Sequence, residues 1–255
     1  LIGGIVHPLS GQPLVTSTDL VVKGAQNIIL NRAYIPPHIP CSFPYHKHNQ
    51  GEYNKKFLCE YLLDNYRGWQ FFPQIWLEVN ARPRYTEVCL SEANGMTLAF
   101  ALSGPNHSVA TLPSPHYAIS NACGENPSGQ YDPRNIRISY QDNADQVLVY
   151  ALDGTLRSYN KKINYWKTQT CFTHLYLLEK ETLPNGKIIK YHYDQKYRLT
   201  YVESLDPKER YVYASLRVGG APREGNCHFL SSSGTTADYH YEIGRASCRE
   251  RVSSP

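Results

Sequence analysis

The sequence predicts a mainly β protein in which β-hairpin repeats form an extended antiparallel sheet, with one short helical insert. Three observations carry this expectation. A turn residue, a glycine and then an aromatic five residues beyond the glycine recur four times: Asn94-Gly95 with Phe100, Asp153-Gly154 with Tyr159, Asn185-Gly186 with Tyr191, and Ser233-Gly234 with Tyr239. Recurrence at a fixed internal spacing is the mark of a repeat architecture. Tyrosine is abundant, 21 residues against one methionine in 255, which suits half-buried pleated surfaces where the ring packs and the hydroxyl reaches water. Short apolar runs bounded by turn residues supply the strands themselves.

Taken in order, Leu14-Val15, Leu20-Val21-Val22 and Ile28-Ile29-Leu30 alternate with turn residues and predict successive strands over residues 12–35. Pro36-Pro37 and Pro40 end that pattern, because proline offers no ladder donor. Phe57, Leu58, Tyr61 and Leu62 then recur at helical spacing and predict a short helix over 52–66. Strand-like sequence resumes at Gly68-Trp69 and runs through Phe71-Phe72, Ile75-Trp76-Leu77 and Val79. From Gly104 to Tyr131 the chain is dense in Pro, Gly, Ser and Asn, as a connection between modules would be. Val147–Tyr150 and Leu156–Tyr159 predict a hairpin about Asp153-Gly154, and Cys171–Leu178 an apolar strand, although so short a run also fits a helix.

Asn185-Gly186 is the strongest of the turns, and the expectation is a type I′ turn with positive φ at both central residues. The strand after it should place Ile189, Tyr191 and Tyr193 on one face and Ile188, Lys190 and His192 on the other. The last copy repeats Tyr-His-Tyr, as Tyr239-His240-Tyr241 against Tyr191-His192-Tyr193. Following the first of these, Tyr193-Asp194-Gln195-Lys196-Tyr197-Arg198-Leu199 resembles the unit Tyr-Asp-x-x-Gly-Arg-Leu of the bacterial RHS/YD-repeat family. Tyr197 stands where that unit has glycine, which argues against a positive-φ turn there. Asp194 is expected to close a turn through its side chain onto the backbone two residues on. The first hundred residues resemble the N-terminal module of the same family, through Val6–Gly11, Thr18-Asp19-Leu20, Gly24, Leu30–Tyr34 with Arg32 and Tyr34 among them, and Gly68-Trp69.

The domain organisation follows. Residues 1–105 form the N-terminal-type β module, 106–146 a turn-rich connection, and 147–241 the hairpin repeats. By the resemblance, the family joins Tyr34 to Gly68 by a much shorter link, so residues 35–67 are an insert. Ile243–Val252 matches one translated frame of a common short-read sequencing adapter, so residues 242–255 are expected to be non-native. In that frame only the first base of codon 242 is native and is compatible with Asp, so Tyr239-His240-Tyr241 would continue into a Tyr-Asp unit. The chain begins at Leu1 with no signal segment, and is read as an internal fragment. Without residues 242–255 the charged residues fall from 26 Lys/Arg and 22 Asp/Glu to 23 and 20, a net charge of +3. Lys55-Lys56 and Lys161-Lys162 are isolated pairs, so no basic stripe suggests nucleic acid. No apolar run approaches the ~18 residues of a membrane span. The six cysteines outside the tail are widely spaced and suit small buried hydrophobes better than a disulfide framework.

Chemistry-bearing motifs are few. His38, Cys41, His46, His48 and Cys59 in the insert offer zinc-type ligands, and His46 and His48 could present two nitrogens from one extended segment. Their spacing matches no standard zinc motif, so the expectation is a solvated loop and no cofactor. Asp142 and Asp145 flank Asn143 in a polar turn, and Asp132-Pro133 reads as a turn. Signatures of zinc proteases, serine hydrolases, phosphate-binding loops and dinucleotide folds are absent, so no enzyme activity is expected of the chain. The resemblance implies a wall segment of a hollow β-shell that encloses and delivers a C-terminal toxin or effector domain. Its partners would be downstream repeats, that effector and the secretion machinery, in a secreted or cell-surface protein. Two other readings stand beside it. One is a carbohydrate-binding adhesin with Tyr191, Tyr193 and Tyr201 lining a solvent-facing groove; the other is a metal-dependent enzyme centred on residues 38–59.

Overall fold

Strands dominate because the apolar residues alternate and the breakers between them are turn formers. The structure, a computed structural model, describes residues 5–6, 13–34, 69–72, 75–81, 86–91, 97–102, 118–119, 137–140, 145–151, 153–167, 172–195, 197–220, 226–241 and 248–253. Among them every pairing of strands is antiparallel and no α-helix occurs. The expected helix at 52–66 lies outside the described residues, as do Gly11, Gly68, Asn94-Gly95, Asp132-Pro133, and His38, Cys41, His46, His48 and Cys59 of the insert. Among the described residues no helix is long and apolar enough to cross a membrane.

The chain divides into two compact units, the first drawing its main strands from 73–185 and the second from 15–37, 46–72 and 186–255. The main strands of the first unit are β5 (Trp76–Ala81), β6 (Thr86–Ser91), β7 (Thr97–Leu102), β8 (Ala118–Ile119), β9 (Arg137–Tyr140), β10 (Val147–Tyr150), β11 (Leu156–Lys167) and β12 (Phe172–Thr182). They run in the order β9-β10-β11-β12-β5-β6-β7-β8. The turn-rich stretch 106–146 thus contributes β8 and β9. The apolar run 171–178 resolves as strand rather than helix, and its long partner β11 explains why. A near-continuous run such as His174–Leu178 is buried throughout, which is what a strand covered on both faces requires. Arg157 and Glu181 lie directly opposite each other across β11 and β12 and pair at 2.9 Å.

The second unit is a two-layer sandwich. Its large sheet is a meander of β13 (Ile188–Tyr193), β14 (Leu199–Leu205), β15 (Val212–Gly219), β16 (Asn226–Ser231), β17 (Thr236–Tyr241) and β18 (Cys248–Ser253), each paired with the next. Residues 242–255, read as non-native, supply β18 at the sheet edge; backbone pairing of this kind is indifferent to side-chain identity. The small sheet is β2 (Pro13–Val22), β3 (Ile28–Tyr34) and β4 (Trp69–Phe71), whereas β1 (Ile5–Val6) belongs to the first unit. Strand β3 lies against β14 and β15. Alternate residues face the layer between the sheets: Leu20, Val22, Ile28, Leu30, Val202, Ala214, Leu216, Phe229, Ala237 and Tyr239 are all buried.

The turn at Asn185-Gly186 differs from the type I′ geometry expected of it, and two others are built alike. At Gly154, Gly186 and Gly234 only the glycine has positive φ, at 86°, 80° and 83°, whereas Asp153, Asn185 and Ser233 do not. Around Gly154 the N–H of Ala151 donates to the Thr155 carbonyl at 2.8 Å and the N–H of Gly154 donates back to Ala151 at 3.1 Å. Ser231, Gly234 and Thr235 repeat the pattern at 2.9 and 3.1 Å. These are three-residue loops, a type I turn followed by one left-handed residue, which need only one glycine and still match the twist of the strands. Gly24, by contrast, is required for space: a Cβ there would stand 3.0 Å from both the Tyr213 carbonyl oxygen and the Ala214 Cβ.

Candidate functional site

The β2–β3 ladder slips by one residue between Thr18 and Leu20, so Asp19 has no partner opposite it. Such a bulge re-aims one side chain. Strict alternation would send Asp19 outward with Val21, opposite Leu20 and Val22; instead its side chain is fully buried beside that of Arg32, which is 6% exposed. Arg32 Nε lies 2.9 Å from Asp19 Oδ2, and Arg32 Nη2 donates to Oδ1 at 3.1 Å. The Ser17 hydroxyl donates to Oδ1 at 2.5 Å. The fourth contact comes from far along the chain: the Tyr239 hydroxyl donates to Asp19 Oδ2 at 2.7 Å, while its ring lies 5.2 Å from the Arg32 guanidinium carbon. Desolvating two charges is costly unless the carboxylate finds donors, and Asp19 accepts from Arg32 Nη2, the Ser17 hydroxyl and the Tyr239 hydroxyl.

Two phenylalanines frame this cluster. Phe71 sits 4.7 Å from the Tyr239 ring and 4.9 Å from Phe229. Phe72, with φ 44° and its N–H bonded to the Asn31 carbonyl at 2.9 Å, turns away to meet Tyr191 edge-on at 6.1 Å. Adjacent residues of the small sheet therefore each touch an aromatic that follows a turn glycine by five residues, one on β17 and one on β13.

The three such aromatics whose side chains are described are all buried: Tyr159, Tyr191 and Tyr239. The fourth, Phe100, lies in β7. Alternation after Gly186 is largely as expected, with Ile189 and Tyr191 buried, Tyr193 half-buried and His192 exposed; Ile188, expected on the other face, is buried as well. Tyr191 pairs with Val202, and Tyr201 pairs with His192 on the opposite face. The three tyrosines of the expected sugar-binding groove thus do not share a solvent-facing surface.

In the Tyr-Asp unit the structure overturns one expectation and extends another. Tyr197 has φ 63°, adopting the left-handed conformation in place of the glycine. Its N–H donates to the Asp194 carbonyl at 3.1 Å and the Asp194 N–H donates to the Arg198 carbonyl at 2.9 Å, the same loop as at Gly154 and Gly234. The Asp194 carboxylate accepts from the Arg198 backbone N–H at 2.9 Å and its guanidinium at 2.7 Å, and the expected contact two residues on falls at residue 196, outside the described residues. Leu199 follows as the first, buried residue of β14. The Asp, Arg and Leu of the motif are thus a turn clamp and a core anchor.

Twelve residues on, Asp206-Pro207-Lys208-Glu209-Arg210 repeats this device unnoticed in the sequence. Glu209 has φ 58° and donates its N–H to the Asp206 carbonyl at 2.9 Å. The buried Asp206 carboxylate accepts from the N–H groups of Lys208, Arg210 and Tyr211. Burial raises its pKa, but the N–H donors of Tyr211, Arg210 and Lys208, with the Arg210 guanidinium, outweigh burial and hold it below the ordinary 3.8. The shared spacing Asp-x-x-x-Arg was the available signal. Pro207 lies 3.5 Å from where a Cβ on Gly186 would stand, as Pro184 lies 3.3 Å from that of Gly154.

Of the other motif residues, Thr18 is exposed and donates to Asn31 at 3.0 Å, and Tyr34 pairs with Val15 and Trp69 in the ladders. Cys89 and Cys227 are buried, and Asp145 is exposed in a bend. Among the described residues no group of three or more His, Cys, Asp and Glu side chains could hold a metal ion.

No family model and no curated protein matches the chain. Similar solved structures include the N-terminal domain of the effector protein SpvB from Salmonella typhimurium, with TM-score 0.42, 11% identity and 92% of each chain covered. A porin-like protein from Bacteroides uniformis is similar with TM-score 0.31 and 11% identity over 68% of this chain. The chain spans 62% of the length of that porin-like protein.

Proposed function

We propose that the chain is a wall segment of an RHS/YD-repeat protein, a structural element with no catalysis of its own, secreted or displayed at the cell surface. In this reading it helps to enclose and deliver a C-terminal toxin or effector domain that follows further repeats. The observation that carries the proposal is the equivalence of the hairpins. Turns at Gly154, Tyr197 and Gly234 share one hydrogen-bonding pattern, and the aromatics after the glycines point into the protein. Each hairpin leaves one strand edge that the next can satisfy, so serial addition extends a wall. The link between Asp194 and Arg198 gives the Tyr-Asp-x-x-Gly-Arg-Leu spacing a mechanical meaning. The buried position of Tyr191 disfavours the sugar-binding groove as a second reading.

The uninterrupted gene tests the proposal. Many further Tyr-Asp units ending in an unrelated C-terminal domain are expected, and protease should spare that domain until the wall is unfolded. A stop codon directly after codon 242 would leave too few strands to enclose anything and would overturn the reading.

A further inference from the structure

We propose that the small sheet reads the register of the repeat sheet through Tyr239, which Asp19 and Arg32 select, with the contact of Phe72 on Tyr191 as a second, apolar point. A repeat wall offers several similar buried aromatics, so apolar contact alone would let the small sheet stack over more than one hairpin. The cluster removes that degeneracy. Tyr239 contributes both a ring over Arg32 and a hydroxyl to Asp19 Oδ2, at 2.7 Å. A phenylalanine at the same repeat position supplies the ring but leaves a fully buried carboxylate one donor short. A buried polar group that fixes register is the best attested use of such groups. The positive φ of Phe72 sets the second point, because it splays the Phe71-Phe72 pair toward β17 and β13 at once. Two anchors 48 residues apart in sequence, at 191 and 239, define one placement of the small sheet. The strands β2 to β4 consequently close only when the β16–β17 hairpin is in place. This inference holds whether or not the wall encloses an effector.

Hydrogen exchange on the full chain tests it, with Tyr239→Phe against Tyr191→Phe. Each variant removes one hydroxyl at the same position of a repeat and keeps the ring. For Tyr239→Phe, amide exchange in β3 is expected to rise by at least about tenfold while β10–β12 stay protected. Tyr191→Phe keeps the ring that Phe72 meets edge-on and should raise β3 exchange less than Tyr239→Phe does. Asp19→Asn should raise β3 exchange too, and combining it with Tyr239→Phe should add little further, since both act on one contact. Equal effects of the two tyrosine variants, including unfolding of both, would overturn the proposal. So would an unchanged β3, or effects of Asp19→Asn and Tyr239→Phe that simply multiply.

Discussion

The glycine turns and the aspartate turns of this protein bend the backbone through the same left-handed position but stabilise it by different means. At Gly154 and Gly234 the residue has no Cβ, so a φ of 86° or 83° carries no steric penalty. At Tyr197 and Glu209 a side chain is forced into that conformation, with φ 63° and 58°. Compensation comes from an aspartate three residues earlier, which receives backbone N–H groups across the turn and pairs with the arginine that follows. The comparison teaches that the glycine of the repeat unit and its Asp-Arg clamp are partly interchangeable. Either can hold the turn, so a repeat tolerates loss of one if the other remains.

Breaking a glycine turn should have the largest effect. Gly154→Val puts a β-branched residue at positive φ against Pro184, and is expected to lower stability by ~2–3 kcal/mol in a urea titration. Removing the clamp from an aspartate turn comes next. Asp194→Ala leaves the Arg198 backbone N–H without its carboxylate partner and should cost ~1–2 kcal/mol by the same measurement. Restoring the glycine sharpens the comparison: Tyr197→Gly should stabilise by ~0.5 kcal/mol, the relief of left-handed strain less the added freedom of the unfolded chain. In that background Asp194→Ala should cost less than in the parent, and equal costs would show that clamp and glycine act independently.

The smallest effect is one of pH. The folded pKa of Asp206 is depressed, so this carboxylate contributes stability at pH values above its unfolded pKa. That contribution should fade as pH falls from about 4 through the folded pKa, where the unfolded chain binds the extra proton. Denaturation midpoints measured across this range should therefore fall less steeply for Asp206→Asn than for the parent.

How much of this was legible depends on the range over which each signal acts. Turn glycines and the aromatics five residues beyond them could be read directly, because a hairpin fixes the face of its own next strand. The same local logic placed strands within 12–35 and at 147–150 and 156–159, although Leu14-Val15 and Leu20–Val22, read as separate runs, belong to the single strand β2. It does not reach Asp19, where one bulge reverses the alternation that Leu20 and Val22 imply. It failed at Tyr197 and Glu209, since their propensities oppose a left-handed turn and only the Asp clamps make it tolerable. Asp19 and Arg32 stand within the motifs that carry the resemblance, but nothing within β2 or β3 names Tyr239 as their partner.

What the amino-acid sequence determined alone is the strand alphabet: antiparallel hairpins, the glycine turns, and which residues of one strand share a face. These follow from short-range sterics and the two-residue period of a strand. Only the tertiary structure decided that Asp19, Arg32, Phe71 and Tyr239 form one cluster, because a contact spanning 220 residues depends on where two sheets stack. The buried polar atoms of this cluster find their partners across the two sheets, and that satisfaction exists only once both sheets are in place.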